Sequence, residues 1–145
     1  MKDKFFMDTN ILVYSFDTNA PLKQQKAREL IALALNSQRG VISFQVIQEF
    51  LNVATRKFEV PFTIQETEIY LDQVLIPLCQ AFPSAELYRK GLYVMERWQY
   101  SFYDSLIITS ALQTGCKILY SEDLQHEQVI ETLTIDNPFK HNLNS

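Results

Sequence analysis

The stretch Lys4-Phe5-Phe6-Met7-Asp8-Thr9-Asn10-Ile11-Leu12 decides the fold prediction for this chain. A short apolar run ends at a carboxylate, two polar residues follow, and apolar residues then resume. This pattern predicts a buried strand that ends at Asp8, followed by a helix capped by Thr9 or Asn10. Because ligands of open α/β sheets bind outside the carboxyl ends of the strands, Asp8 is a candidate site residue. The alternative is that Asp8 only caps the helix.

Length and composition predict one globular domain. The chain has 145 residues, of which 47% are hydrophobic and 21% charged, close to the average for soluble proteins. We therefore expect a single domain over residues 1–145, which buries about two thirds of the surface of its unfolded chain. The longest apolar runs are far shorter than the ~18 residues that a bilayer requires, and no signal peptide is recognisable. These features favour a cytoplasmic protein without a membrane segment.

Charge and cysteine content limit the possible partners. The net charge is −4 and the pI near 5.1, so a general polyanion-binding surface is not expected. Cys79 and Cys116 lie far apart among apolar neighbours, as is typical of buried free thiols in a reducing compartment. With only His126 and His141 beside them, no zinc-ligand spacing is present. If nucleic acid is the substrate, bound cations or a local basic patch must attract it.

Strand-like and helix-like segments alternate along the chain, which predicts the α/β class. Besides the opening strand, we expect strands at 41–42, 78–82 and 117–120. Helices are expected at 11–16, 21–36, 44–58, 64–76, 85–97 and 104–114. Local signals set these boundaries: Pro21 at a first helical position, Ser43 and Ser84 as caps, a capping box from Thr63 to Glu66, and Pro77 and Gly115 as stops.

The angular pattern of the helix at 44–58 places Glu49. At 100° per residue the apolar positions share one side: Ile47, Phe50, Leu51, Ala54 and Phe58. The polar positions share the other side: Gln45, Gln48, Asn52 and Arg56. Glu49 falls at the border between the two sides. It therefore either faces a cleft beside the core or is an ordinary solvated acid.

Two further acids lie at positions typical of a site. Asp104 begins a helix on its buried stripe, because the later positions on the same face are apolar. Those positions are Ile107, Ile108 and Ala111. The strand at 117–120 is followed by Ser121-Glu122-Asp123, which repeats the order of strand and acid found at Asp8. Either Glu122 or Asp123 is the candidate acid at this point.

The charges of these acids must be compensated if Asp8, Glu49, Asp104 and Asp123 converge. Two carboxylates about 5 Å apart repel by roughly 3 kcal/mol at an effective dielectric near 20. Protons or divalent cations are therefore needed to neutralise the cluster. Because the ligands are oxygens alone, hard ions such as Mg²⁺ or Mn²⁺ are favoured over zinc.

Four motifs, in order along the chain, resemble those of PIN-domain proteins. The motifs are Phe6-Met7-Asp8-Thr9-Asn10, the internal acid Glu49, Tyr103-Asp104-Ser105-Leu106-Ile107, and Leu119-Tyr120-Ser121-Glu122-Asp123-Leu124. The resemblance runs from about residue 4 to about residue 140. Within this family the chain is most similar to the VapC-type toxins of bacterial and archaeal toxin–antitoxin pairs.

The resemblance assigns roles to particular residues. It implies that four acids bind the metal and carry catalysis: Asp8, Glu49, Asp104 and Asp123. Asn10 and Ser121 match the supporting polar positions of the family. The pattern favours Asp123 over Glu122, because Asp123 is the acid two residues after the small hydroxyl residue.

The resemblance also implies a fold, an activity and partners. The fold would be a single PIN-like domain with a central parallel β-sheet flanked by helices on both faces. The activity would be that of a metal-dependent endoribonuclease, in which one or two Mg²⁺ or Mn²⁺ ions activate a water and orient the scissile phosphate. The partners would be an RNA substrate, a cognate antitoxin whose tail fills the active-site groove, and a second copy of the chain in a homodimer. The helices around 58–75 would suit such an interface.

Two further features bear on RNA binding. The basic side chains that could contact the RNA backbone are Lys23, Lys26, Arg56, Lys57, Arg89, Lys90 and Arg97. The chain departs from the family pattern at Glu127, where many relatives carry glycine shortly after the last acid. An extra acid near the site would weaken phosphate binding or narrow the choice of substrate.

Other classes of protein fit the sequence less well. A haloacid-dehalogenase-like phosphatase needs a second aspartate two residues after the first, and Asn10 occupies that place. A serine or cysteine hydrolase would need His126 or His141 as its base, but no Gly-x-Ser-x-Gly elbow is present. The scattered glycines exclude a nucleotide-binding loop. The main alternative is non-enzymatic: a catalytically weak or inactive PIN-fold module that binds RNA or a protein partner.

Overall fold

A six-stranded sheet forms the centre of the protein in a computed structural model that describes residues 3–140. The strands are β1 (Phe5–Met7), β2 (Gly40–Ser43), β3 (Cys79–Ala81), β4 (Ile118–Tyr120), β5 (Val129–Ile130) and β6 (Leu133–Asp136). Their order in the sheet is β3-β2-β1-β4-β6-β5. All neighbouring strands are parallel except β5 and β6, which form an antiparallel edge.

The helices connect these strands. They are α1 (Thr9–Tyr14), α2 (Pro21–Ser37), α3 (Phe44–Arg56), α4 (Ile64–Tyr70), α5 (Ile76–Leu78), α6 (Ala85–Trp98) and α7 (Phe102–Gln113). A π-helical turn, Leu71–Leu75, joins α4 to α5, and a 3₁₀ turn, Pro138–Lys140, follows β6. Across residues 3–140, no helix is both long and apolar enough to cross a membrane.

The order of the strands reverses at β1. The chain first moves outward from β1 to β2 and β3, then returns across the sheet to place β4 on the other side of β1. Because crossovers between parallel strands are right-handed, this reversal puts α6 and α7 on the opposite face from α2. The crevice between the carboxyl ends of β1 and β4 is therefore the topological switch point at which ligands of such sheets bind.

The core is built around the first strand. Phe5, Phe6 and Met7 are all buried, because β1 is paired on both edges and helices cover both faces. Helix α2 contributes a stripe of buried side chains to this core: Ala27, Leu30, Ile31 and Ala34. A strand buried on both faces ends at the switch point, and the residue that follows it is Asp8.

The predicted α/β class with a central, mostly parallel sheet is confirmed. The predicted caps of three helices are also present: Ser43 and Ser84 accept hydrogen bonds from their helices, and Thr63 and Glu66 form the capping box. The cap predicted for α1 was wrong, because Asp8 caps this helix and Thr9 and Asn10 are its first two residues. Cys79 is half-buried and Cys116 buried, and both are free thiols, as expected. The opening strand and the helix after it lie where the sequence places them to within two residues.

Four further predictions were wrong, and they concern missing strands, the bounds of helices and the burial of one side chain. Strands β5 and β6 were not expected, because two to four residues carry too little periodicity to be recognised. Helix α7 begins at Phe102 rather than Asp104, since Ser101 caps it. Pro77 lies inside α5 instead of ending a helix. The π-helical turn before it is wider than an α-helical turn, so the backbone hydrogen bond that proline cannot donate is not required there. Gln45 was placed on the wet side of α3, but it is buried.

Candidate active site

The four candidate acids line one cavity at the carboxyl ends of β1 and β4. This acid cavity, as we call it, has a volume of about 620 Å³. Asp8 follows β1, Glu49 lies on α3, Asp104 lies in the first turn of α7, and Asp123 follows β4. The fold thus brings together acids from four segments that are far apart in the sequence.

Asp8 is the most buried of these acids, with 8% of its surface exposed. Its Oδ1 accepts a hydrogen bond from the backbone N–H of Thr9, and its Oδ2 accepts one from the hydroxyl of Ser121, both at 2.8 Å. Burial nevertheless raises the pKa of Asp8 to about 6, and the charges of Glu49 and Asp123 add to the increase. A carboxyl group perturbed by burial and by like charges in a cleft is typical of functional sites.

Two polar residues of α1 donate hydrogen bonds to two other acids of the acid cavity. The hydroxyl of Thr9 donates a hydrogen bond to Oε1 of Glu49 at 2.7 Å. The side-chain amide of Asn10 donates to Oδ2 of Asp123 at 3.0 Å. The first turn of α1 therefore orients one acid from α3 and one from the segment after β4, and Asn10 supports Asp123 directly.

Asp104 is positioned by the start of α7. The hydroxyl of Ser101 caps this helix by accepting a hydrogen bond from the backbone N–H of Asp104 at 3.2 Å. The side-chain amide of Gln45, on the first turn of α3, donates to the carbonyl oxygen of the neighbouring Tyr103 at 3.2 Å. The two helices that carry Glu49 and Asp104 are thus linked at their first turns.

Glu122 also lines the acid cavity, but it has partners of its own. Its carboxylate accepts a hydrogen bond from the hydroxyl of Tyr14 at 2.6 Å and pairs with the ammonium of Lys23 at 2.5 Å. Burial raises the pKa of Glu122, but these two hydrogen bonds outweigh burial and lower it below its ordinary value. Glu122 is therefore neutralised within the protein. The carboxylate of Asp123, in contrast, accepts a hydrogen bond from the neutral amide of Asn10, and its backbone N–H donates to the hydroxyl of Ser121.

The donor set of the acid cavity fits a hard divalent cation. Its carboxylate oxygens are the ligands that Mg²⁺ and Mn²⁺ prefer. A cation would offset the burial that mainly raises the pKa of Asp8, as well as the smaller repulsion from Glu49 and Asp123. The amide Oε1 of Gln45 is also buried without a hydrogen-bond partner. Within residues 3–140, no three Asp, Glu, His or Cys side chains converge on one point as they stand. A cation would therefore be held in a side-chain arrangement different from the present one.

The basic residues proposed for RNA contact differ in their surroundings. Lys23 is paired with Glu122 and Lys90 with Glu131, so the charges of both are already compensated. The guanidinium of Arg97 packs over the ring of Trp98. Lys57, in contrast, is exposed and lines the acid cavity. Among the predicted cations, Lys57 is therefore best placed to meet a phosphate.

Two residues of the cavity were missed by sequence reasoning. The resemblance pointed to Asn10 as the supporting residue of the first motif and passed over Thr9, which bonds Glu49. Gln45 was assigned to the solvent face of α3 because its angle lies opposite the apolar positions, and the angular count cannot show that α7 contacts this side of the helix. The signal available in the sequence was its place in the first turn of α3, directly after the carboxyl end of β2.

The remaining titratable candidates lie away from the four acids. His126 accepts a hydrogen bond from the backbone N–H of Asn137 at 2.9 Å and approaches Glu127 at 3.2 Å, and neither His126 nor Glu127 lines the acid cavity. Glu127 has a φ of 71°, a left-handed conformation that glycine adopts without strain. His141 lies outside the described residues.

Comparison with solved structures supports the fold. The chain is similar to a toxin–antitoxin complex from Klebsiella pneumoniae (16% identity, TM-score 0.66, 93% of this chain and 98% of the other). It is also similar to FitAcB from Neisseria gonorrhoeae (15%, 0.61, 93% and 98%) and to the sarcin-ricin loop cleaving toxin VapC20 of Mycobacterium tuberculosis (15%, 0.56, 83% and 90%). At these identities the likeness shows the fold alone.

Family assignment rests on the sequence itself. No curated protein matches the sequence as a relative. The model of the PIN domain family, however, matches residues 5–131, which include all four acids of the cavity. Because this match covers most of the chain and agrees with the fold, the protein belongs to the PIN domain family.

Proposed function

We propose that the protein is a metal-dependent endoribonuclease that hydrolyses RNA phosphodiester bonds and acts as the toxin of a toxin–antitoxin pair in the cytoplasm. One observation carries the proposal: four carboxylates from separate segments line one cavity at the switch point of the sheet, and the most buried of them has a pKa of about 6. A surface that only binds RNA gains nothing from such a repulsive cluster.

The residues of the acid cavity would have different roles in binding the metal and orienting the water. Asp8 and Asp104 would hold the main Mg²⁺ or Mn²⁺ ion, while Glu49 and Asp123 would complete the cluster or orient the attacking water. The bound ion supplies Lewis-acid stabilisation of the phosphate and activation of the water. Ser121, which donates to Asp8 and accepts from the backbone N–H of Asp123, keeps these two acids in register at the ends of their strands.

RNA would approach the acid cavity past Lys57. The net charge of −4 provides no general attraction for a polyanion, so the local cation and the bound metal ions must supply it. Lys57 lies on the wall of the cavity together with Asn52, which offers a neutral hydrogen-bonding group. A phosphate held there would lie beside the carboxylates that surround the cleavage point.

An antitoxin and a second copy of the chain are the proposed protein partners. Solved structures with this fold include a toxin–antitoxin complex from Klebsiella pneumoniae. A second cavity of about 640 Å³, lined mainly by apolar residues such as Phe16, Phe58 and Phe62, adjoins the acid cavity and shares Lys57 with it. An antitoxin segment that filled the acid cavity could continue into this apolar one.

The alternative is a PIN-fold module that binds RNA or protein without cutting. The observation that favours this alternative is the present arrangement of the acids. Glu49 and Asp123 accept hydrogen bonds from Thr9 and Asn10, and no three acids of residues 3–140 converge. A module of this kind would not need a divalent ion, and its stability would not respond to Mn²⁺.

Cleavage of a mixed RNA pool by the purified protein tests the proposal. Reactions contain Mg²⁺, Mn²⁺ or EDTA, and the wild-type chain is compared with Asp104→Asn. The matched control is Asp72→Asn, which removes an exposed acid of the π-helical turn that does not line the cavity. Melting temperatures with and without Mn²⁺ are recorded for each variant.

We expect metal-dependent cleavage by the wild type and by Asp72→Asn, and none by Asp104→Asn. Cleavage that persists in EDTA, or equally in Asp104→Asn, would show that the acid cavity is not the active site. Absence of cleavage together with an unchanged melting temperature in Mn²⁺ would leave the binding module as the function of this fold.

A further inference from the structure

Gln45 is a buried polar residue within the acid cavity. It lies in the first turn of α3, 5% exposed, although the helix offers solvent-facing positions to a glutamine, such as that of Gln48. Burying an amide is unfavourable unless both of its ends find partners. The surroundings of the two ends therefore indicate what the side chain does.

The nitrogen end of Gln45 is fixed by its partner. Nε2 lies 3.2 Å from the carbonyl oxygen of Tyr103, which can only accept a hydrogen bond. The amide must therefore present its nitrogen to Tyr103, and the opposite assignment of its two ends would set two acceptors against each other. Oε1 is consequently directed away from the backbone of α7.

The oxygen end has no protein partner. Oε1 is buried, and no donor reaches it among residues 3–140. Buried acceptors left unpaired are rare and unfavourable, and in native structures they commonly mark a place that a water or an ion occupies. Gln45 belongs to the wall of the acid cavity together with Asp8, Glu49 and Asp104, and that cavity is where a water or an ion beside Gln45 would be held.

We propose that Gln45 supplies a neutral oxygen to the acid cavity in addition to its carboxylates, accepting a hydrogen bond from water that accompanies a bound divalent cation. Its bond to Tyr103 holds Oε1 in place and ties the helix of Glu49 to the helix of Asp104. This inference rests on the proposed function, since it assigns a positioning residue to the same metal site. A neutral oxygen adds an acceptor without adding to the repulsion among the carboxylates.

Three variants separate the oxygen from the Tyr103 bond. Gln45→Met keeps the length of the side chain and removes both polar ends, whereas Gln45→Glu keeps an oxygen and removes the donor to Tyr103. Gln48→Met makes the same change as the first variant on the exposed face of the same helix. Isothermal titration with Mn²⁺ alone measures the dissociation constant, and thermal unfolding without metal reports whether each variant is folded.

We expect Gln45→Met to raise the dissociation constant for Mn²⁺ by ~10-fold or more, as is typical for groups that support metal ligands. Gln45→Glu should bind Mn²⁺ at least as tightly as the wild type, and Gln48→Met should match the wild type. Equal binding by Gln45→Met and wild type overturns the inference, as does equal weakening in Gln45→Met and Gln45→Glu, which would assign the effect to the Tyr103 bond.

An Asp8→Asn variant distinguishes this failure from failure of the proposed function. If the wild type binds Mn²⁺ and Asp8→Asn does not, the metal site stands and the Gln45 variants alone decide the inference. If the wild type itself binds no Mn²⁺, both the metal-dependent function and the role of Gln45 are overturned.

Discussion

Asp8 serves two purposes that the sequence presents as alternatives. One carboxylate oxygen caps α1 through the N–H of Thr9, and the other faces Ser121 inside the acid cavity. A helix cap does not need burial beside other acids, so the cap alone does not explain the environment of Asp8. Because burial disfavours its charge, the ionisation of Asp8 is expected to make this residue a source of instability in the metal-free protein.

We predict that Asp8→Asn stabilises the metal-free protein at neutral pH. Because the folded pKa is about 6 and the ordinary value 3.8, the folded state carries no penalty below 3.8 and acquires it as the pH rises through 6. The difference corresponds to at most about 3 kcal/mol. Urea unfolding at a series of pH values should show the variant more stable at neutral pH and the two proteins converging in acid. A constant difference at every pH would contradict this account.

A second prediction distinguishes Glu122 from Asp123. Glu122→Gln breaks a partly buried ion pair with Lys23 and should cost about 1 kcal/mol of stability while leaving cleavage intact. Because its folded pKa is lowered, the contribution of Glu122 to stability is present at neutral pH and is lost as the pH falls. Asp123→Asn should abolish cleavage at little cost in stability. Loss of cleavage in Glu122→Gln alone would reverse the assignment.

At the scale of elements, sequence reasoning succeeded where one segment carries its own signal. The opening strand, the capped helices and the acids that follow strands were recognisable because burial and capping leave local patterns. Strands β5 and β6 were not recognisable, since they exist through pairing with β4 and with each other. The burial of Gln45 likewise depends on α7, which packs beside it only in the folded chain. The roles of the four acids remain a prediction.

The space around Gly40 in β2 and Gly91 in α6 supplies a prediction about these two glycines. A Cβ added at Gly40 would lie 2.1 Å from the Cβ of Ala34 and 2.7 Å from its Cα, so the strand and the helix must move apart. At Gly91 the nearest atom, at 2.8 Å, is the flexible end of Leu106. Gly40→Ala should therefore cost at least about 2 kcal/mol. Gly91→Ala should be nearly neutral, because alanine favours the helix by about 1 kcal/mol. Equal effects in urea unfolding would refute this difference.

The whole molecule is an acidic protein proposed to act on a polyanion. With a net charge of −4, its affinity for RNA depends on few local contacts, and Lys57 is the exposed cation on the cavity wall. Lys57→Ala, made in the Asp104→Asn background to prevent cleavage, should weaken RNA binding and lower the salt dependence by about one released ion. Lys117→Ala is the control, since Lys117 is exposed at the amino end of β4. Fluorescence anisotropy measures both, and equal losses would exclude a local role for Lys57.

The pairing of β1 with β4 also determines when the acid cavity can form during synthesis of the chain. Strand β1 pairs with β4 in the register Phe5–Ile118, Phe6–Leu119 and Met7–Tyr120. Because β4 is translated more than a hundred residues after β1, this pairing cannot form earlier. Asp8 and Asp123 meet only when that strand has left the ribosome and joined the sheet. A growing chain therefore holds three of its four acids without a complete cavity. If the protein cleaves RNA as proposed, the ribosome and the message that produce it would be safe from cleavage until β4 and Asp123 have been synthesised.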